Sequence, residues 1–338
     1  MSLPVRDAVA ATVVLLVAIV VGSEGLRHLD PALLGYLAAT VVAFAGTVWR
    51  ASAFWRRRPS AFYARALARA LRDPRQLRVA LASGANDLVA QRFVARRSRL
   101  RWVAHLALSL GTLASFAITV PLVFGWMHFV ADGPEHYRVV ALGLPAGRFA
   151  VAGPLGWLAF HGLALAGVAV ALGAATFLGT RYRQRHLPGA ARAFHVAPLL
   201  LLLVVALTGL ALPVTRHAPR LFDVAAIAHE IAVIVLLVAI PFSKLHHVLV
   251  RPLQIGARLV RATTARAACA GCGADLAPDA QHEAVKAMLR ARGLPAGPHA
   301  DLCPPCRRRL VAASQSALVG ARFHPQIVGA PPARSEAA

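Results

Sequence analysis

Six apolar runs divide the first 250 residues, at about 8–26, 31–49, 102–128, 155–180, 196–214 and 222–248. Each is long enough for a membrane helix, since about 20 mainly apolar residues cross a hydrocarbon core of about 30 Å. The pattern predicts an all-α integral membrane protein with a six-helix transmembrane bundle over residues 1–250. A small C-terminal module follows at 251–324, and 325–338, which ends PPARSEAA, reads as disordered. The first run, AVAATVVLLVAIVVG, is short enough to be a signal-peptide core. A second apolar run follows after a brief polar turn, so the first is read as a retained helix.

Composition agrees with this reading. Of 338 residues, 58% are apolar and 15% are charged, whereas about a quarter of a soluble domain is charged. Disordered, collagen-like and disulfide-scaffold chains are excluded by the same figures. A net charge of +23 would point to nucleic acid in a soluble protein. Here the arginines follow topology instead. RRRPSAFYARALARALRDPR and QRFVARRSRLR lie within 50–101, RYRQRHLPGAAR fills 181–192, and the tail beyond Pro252 is Arg-rich. The alternate connections 23–30, 129–154 and 214–221 hold only Arg27, Arg138, Arg148, Arg216 and Arg220. This asymmetry places both termini and the basic loops on the cytoplasmic side of a bacterial inner membrane. No nucleic-acid partner is needed; the basic loop is suited to anionic lipid or an acidic subunit. Within it, YARALARALRDPRQLRVALA reads as an amphipathic surface helix that caps the bundle or docks a partner. All five tryptophans fall at predicted helix ends, where an aromatic belt belongs.

The 14 histidines carry the chemical signal, because ionisable groups inside a bilayer are costly and mark function. His229 and His247 are 18 residues apart. In a straight helix that is about five turns and roughly 27 Å, with both rings on one face. His246 lies about 100° off that face. Two stacked haems, one per leaflet, fit such a pair, because neutral imidazole binds haem iron axially. One zinc ion does not fit, because the two rings are too far apart to share it. His105 opens the third run level with His247 and is the expected second ligand there. His229 is expected to meet His128, at the end of the third run, or His161, early in the fourth. His195 is a third-choice ligand or a propionate partner, and His28, His136, His186 and His217 read as solvated loop residues. Lys244 either pairs with a propionate or snorkels to headgroups. Glu230 is a candidate proton acceptor or a structural carboxylate, and Thr208 and Gly209 are candidates for close packing around a macrocycle.

The stretch AHEIAVIVLLVAIPFSKLHHVLVRP resembles the last helix of the gamma subunits of respiratory nitrate reductase, which are dihaem b-type cytochromes that oxidise quinol. That pattern is a histidine, an apolar stretch, Pro-Phe-Ser, a basic residue and a second histidine; His229 and His247 occupy the two positions. His105 matches the family's first histidine on an earlier helix. The family places another histidine further along that helix, where this chain has Ser115, which shifts the expected ligand to His128 or His161. Membrane cytochromes of heterodisulfide-reductase-type complexes are similar. The resemblance covers roughly residues 100–255.

All four cysteines lie in the tail, as Cys269-Ala-Gly-Cys272-Gly and Cys303-Pro-Pro-Cys306. Paired C-x-x-C knuckles present four thiolates to one tetrahedral ion, and a cytoplasmic tail disfavours disulfides. Neither knuckle is followed by histidine, so covalent haem attachment is not indicated. Zinc would close a small ribbon. A single iron would suit the resemblance of the knuckles to rubredoxin, although Arg307-Arg308-Arg309 stands where rubredoxins carry glycine.

The resemblance implies a b-type cytochrome subunit with two haem b groups. It would exchange electrons between quinol or quinone and a cytoplasmic iron–sulfur or molybdenum partner. No substrate-reducing site is evident in the chain itself. The competing readings are a non-redox transporter, a zinc-ribbon membrane scaffold and a haem-binding sensor.

Overall fold

The computed structural model describes residues 2–183, 189–263 and 265–320. The connection around His186 and the end at 325–338 lie outside the described residues. Helices in chain order are α1 (Leu3–Gly22), α2 (Leu34–Trp55), α3 (Arg58–Ala70), α4 (Pro74–Gly84), α5 (Arg92–Ala95), α6 (Arg99–Val123), α7 (Pro154–Arg183), α8 (Gly189–Thr215), α9 (Pro219–Ala239), α10 (His247–Val250), α11 (Pro252–Thr263), α12 (Asp279–Ala291) and α13 (Pro304–Leu318). Five short strands are β1 (Met127–Ala131), β2 (His136–Ala141), β3 (Leu144–Ala150), β4 (Arg266–Ala268) and β5 (Asp275–Pro278).

Six helical stretches among the described residues are long and apolar enough to cross a membrane: Leu3–Gly22, Pro31–Trp55, Arg99–Val123, Pro154–Tyr182, His195–Thr215 and Pro219–Phe242. The six-helix, multi-pass architecture expected from hydropathy is therefore present. α6, α7, α8 and α9 pack in sequence order, α2 packs on α9, and α1 packs on α2. The interior is small and aliphatic. Val170, Leu202, Ala206 and Leu236 form one buried cluster, and Ala39, Ala43 and Leu237 another. Large apolar side chains such as Val14, Leu113 and Leu172 face outward, as lipid-facing positions do. Hydroxyls inside the spans bond back to their own helix: Thr12 to the Ala8 carbonyl, Thr112 to Leu108, Ser115 to Gly111 and Thr119 to Ser115, at 2.7–3.0 Å. In a medium without water this satisfies groups that would otherwise cost several kcal/mol each, in the range of about 2–7. Three tryptophan indoles donate to backbone carbonyls: Trp55 to Leu249, Trp102 to Ala90 and Trp126 to Ala18.

The structure departs from the sequence reading in three places. The third run does not stay helical to residue 128. α6 ends at Val123, Gly125 turns the chain at positive φ, and β1, β2 and β3 form an antiparallel sheet in that order. Met127 pairs with Ala141 and His136 with Ala150. The β2–β3 hairpin turns on Leu142 and Gly143, both at positive φ, the twist a two-residue hairpin prefers. Asp132 ties the sheet together through Arg138 at 3.3 Å and Arg148 at 3.1 Å. Apolar character runs unbroken from α6 into β1, so only a switch of period from 3.6 to about 2 marks the boundary.

The last run is not one rod. α9 ends at Ala239, and two 3-10 turns, Ile240–Phe242 and Lys244–His246, precede α10. Pro241 has no N–H and crowds the preceding turn. Ser243 is extended and its hydroxyl accepts the Leu245 N–H. The Arg50 guanidinium donates to the Pro241 carbonyl, a group the broken helix leaves over. The expectation that His229 and His247 share one straight face is therefore overturned.

The basic connection is also divided. Residues 58–77, with α3, belong to a compact unit with the chain from Ile255 onward, and residues 78–254 belong with the bundle. The expected surface helix is interrupted at Asp73 and Pro74, where Asp73 caps the start of α4 through the Arg75 N–H at 2.9 Å. In the smaller unit, Ile255, Leu259 and Val260 of α11 are buried together with Ala66 and Ala70 of α3.

Candidate functional site

Each candidate imidazole of the bundle is held by the element that carries it. His105 lies nearly two turns into α6, half-buried, with its Nδ1 hydrogen-bonded to Gln91 Oε1. Gln91 is buried and left-handed, at φ 50°. Its amide nitrogen donates to Ser109 Oγ at 2.8 Å and to the Leu88 carbonyl at 3.3 Å. With the amide donors spent, the oxygen must accept, so His105 Nδ1 carries the proton and Nε2 is left with a lone pair. The Phe177 ring meets the His105 ring edge-on, with centroids 6.1 Å apart.

His247 is exposed, and its Nδ1 lies 2.7 Å from the Lys244 carbonyl. A carbonyl only accepts, so here too Nδ1 is protonated and Nε2 is free. His105, His247 and Arg251 belong to the same compact unit. Arg251 in turn sits 4.4 Å over the Phe93 ring, close to Gln91 in the chain. The break after α9 turns His246 the other way. It is buried near Phe54, and neither ring nitrogen has a hydrogen-bond partner among the described residues. Burial holds its pKa below the ordinary imidazole value, with Arg50 and His247 adding to the effect. Lys244 donates to a ring nitrogen of His195.

His229 Nδ1 is 3.0 Å from Thr208 Oγ1. The Thr208 hydroxyl is within 2.8 Å of the Val204 carbonyl, so it donates there and accepts from His229. Gly209 leaves the room, because a Cβ there would stand 2.9 Å from His229 Cε1. The two expected partners of His229 have contacts of their own. His128 is in β1, stacked on His28 with centroids 3.9 Å apart. His161 is exposed on α7, stacked on Trp157 and bonded to the Trp157 carbonyl at 2.9 Å. Glu230 lies close to Gly35 and within electrostatic range of Tyr36.

In the smaller unit the four cysteines come together. Cys269, Cys272, Cys303 and Cys306 present sulfurs all within 4.8 Å of one another, and Cys272 and Cys303 are 3.6 Å apart. A tetrahedral ion with metal–sulfur bonds of about 2.3 Å has sulfurs about 3.8 Å apart, so the group can hold one metal ion. The first knuckle is the turn between β4 and β5, closed by Gly273 at φ 71°. The second begins α13, with Cys303 as its N-cap residue. Cys269 and Cys303 are buried and Cys272 is exposed. The Cys303 N–H (3.2 Å) and the Gly271 N–H (3.4 Å) both point at Cys269 Sγ. These amides, the Cys303 N–H foremost, hold the Cys269 thiol down to about 6. Cys306 is pushed up to about 12, chiefly by the neighbouring Cys303 and Cys272 sulfurs.

Sequence reasoning missed the clamp behind these knuckles. The Asp301 carbonyl accepts the Ala270 N–H at 3.0 Å, tying the chain two residues before the second knuckle to the first. Its carboxylate takes His282 Nε2 at 2.7 Å and Lys286 Nζ at 3.0 Å, both from α12. His282 first and Lys286 second hold the Asp301 carboxyl below its usual range, and Asp301 raises Lys286. The four-residue spacing of His282 and Lys286 on α12 was the available signal. Gln91, by contrast, gave none, since nothing along the chain ties it to His105. Compared with known proteins, the chain matches no family model, no curated protein and no solved structure.

Proposed function

We propose that this chain is a b-type cytochrome membrane subunit, passing electrons between the quinone pool and a cytoplasmic iron–sulfur or molybdenum partner. The observation that supports this most is the matched tautomer of His105 and His247. Each Nδ1–H is committed to an oxygen, Gln91 Oε1 or the Lys244 carbonyl, so each ring offers Nε2. Metal-ligating histidines are characteristically held this way, and His105 and His247 would hold a haem iron through those nitrogens. Haem b bound there would supply a one-electron carrier.

The chain's own residues do the rest. Gln91 and the Lys244 carbonyl orient the two rings. Arg251, over the Phe93 ring, offers a cation to propionate carboxylates. His229, with its Nδ1 on Thr208 Oγ1, and His161, with its Nδ1 on the Trp157 carbonyl, leave Nε2 free in the same way, whereas His128 is stacked on His28. A first haem would be held by His105 and His247, and a second by His229 with His161 or His128. Quinol or quinone would be the exchangeable substrate. At the four sulfurs, a single iron would extend the electron path, whereas Zn2+ would brace the module or dock the partner.

The test is a reduced-minus-oxidised spectrum of the purified chain, expressed with ample haem supply. A b-type band is expected, lost in His105→Ala and His247→Ala and retained when all four cysteines are serine. Folded, membrane-inserted protein without haem would defeat the cytochrome reading. It would leave the scaffold reading, which the assembled sulfurs favour; metal analysis would then give one zinc per chain.

A further inference from the structure

A second cluster of donor side chains stands at the end of the bundle that carries β1, β2 and β3. α1 ends at Gly22, and Glu24, Gly25 and Leu26 follow at φ 55°, 74° and 69°. Left-handed backbone costs a non-glycine residue about 1–2 kcal/mol, so Glu24 and Leu26 are held there by their surroundings. Ser23 is fully buried and its Oγ accepts the Leu26 N–H at 3.0 Å, while the Gly25 N–H reaches the Val20 carbonyl at 2.8 Å. The turn brings His28 Nε2 within 3.6 Å of Glu24 Oε1. From a distant part of the chain, β1 lays His128 on His28, with rings 3.9 Å apart and 15° from parallel.

Two other loops make room for this group. A Cβ at Gly143 would stand 2.9 Å from Glu24 Oε1, and one at Gly125 would stand 2.8 Å from the His28 carbonyl oxygen. Both glycines are at positive φ. Face-to-face imidazoles repel when both are protonated, and aromatic rings prefer offset or edge contacts to a near-parallel sandwich. Two imidazoles and a carboxylate around one point are, however, a donor set for late first-row divalent ions.

We propose that Glu24, His28 and His128 form a binding site for a divalent transition-metal ion, Zn2+ or Cu2+, outside the membrane-spanning segments and separate from the four sulfurs. The three donors do not yet all lie within 4.8 Å of one another, as the sulfurs do. Binding would draw the three side chains into one coordination sphere, which water completes. Mg2+ and Ca2+ are excluded by the nitrogen ligands.

The experiment is a Cu2+ titration of the full chain in detergent, followed by electron paramagnetic resonance, with a variant carrying serine at the four cysteine positions as the background. One saturable equivalent with imidazole nitrogen coupling is expected. It should vanish in His28→Asn and in His128→Asn, and bind about tenfold more weakly or worse in Glu24→Gln. Gly143→Ala, which removes no donor but presses on Glu24, should also weaken it. Copper binding unchanged in the His28→Asn, His128→Asn double variant, or no nitrogen-coupled equivalent in the background, would overturn the proposal. The readout does not depend on haem, so it stands apart from the cytochrome reading.

Discussion

Gln91 accepts a hydrogen bond from His105 Nδ1 while its amide nitrogen donates to Ser109 and Leu88. One buried side chain thus sets the tautomer of the candidate ligand on α6. Gln91→Leu keeps the volume and removes the acceptor. Haem affinity should fall about 10–100-fold, as for other groups that orient a ligating histidine. Gln91→Glu, which keeps the acceptor, should retain the absorption band. Titration of haem-depleted protein with haem measures both.

The neighbours His246 and His247 should behave oppositely. His246 is 7% exposed with two ring nitrogens unpartnered among the described residues. Removing a buried unsatisfied polar group relieves about 1–3 kcal/mol of desolvation, so His246→Leu should unfold at the same or a higher temperature with its band intact. His247→Ala should lose the band. The reverse result would move the ligand to His246.

Gly209→Ala sets a methyl against the His229 ring, 2.9 Å from Cε1. Overpacking of this kind costs about 1–3 kcal/mol. The variant should melt earlier in detergent while retaining the His105/His247 band, since His229 is held by Thr208 on α8 and not by α6.

In the tail, Asp301→Asn keeps the backbone carbonyl that holds Ala270 but weakens the grip of His282 and Lys286. Zinc affinity should fall about 10–100-fold, read by competition with a chromophoric chelator. An unchanged affinity would show that the knuckles need no support from α12.

Metal uptake at the four sulfurs should release protons. Without metal, Cys306 keeps its proton to about 12, so binding at pH 7 must displace it, whereas Cys269, at about 6, is mostly thiolate already. Affinity should therefore rise with pH across the neutral range and fall more steeply below about 6, where Cys269 also takes up a proton. Proton release measured in weak buffer during zinc titration checks the sign.

Much of the architecture was legible along the chain. The six crossings follow from uninterrupted hydropathy over about 20 residues each, and the sulfur cluster follows from two C-x-x-C spacings. The sheet was not, because MHFVA continues the apolar character of α6 and its strand partners, HYRVVA and LPAGRFA, read as a loop when taken singly. The straight His229–His247 face failed at Pro241 and Ser243. The proline was visible, but how far the chain would turn after it was not.

Local chemistry therefore settled the membrane helices and the identity of the thiolate ligands, since hydropathy and knuckle spacing act over a few turns of chain and need no distant partner. Which imidazoles face one another was decided by three-dimensional packing alone. Beyond Pro241, whose carbonyl accepts from Arg50, the chain leaves the line of α9, and the tautomer of His105 depends on Gln91. The stack of His28 on His128 depends on a turn and a strand about a hundred residues apart, brought together by burial and hydrogen bonding that no short-range pattern records.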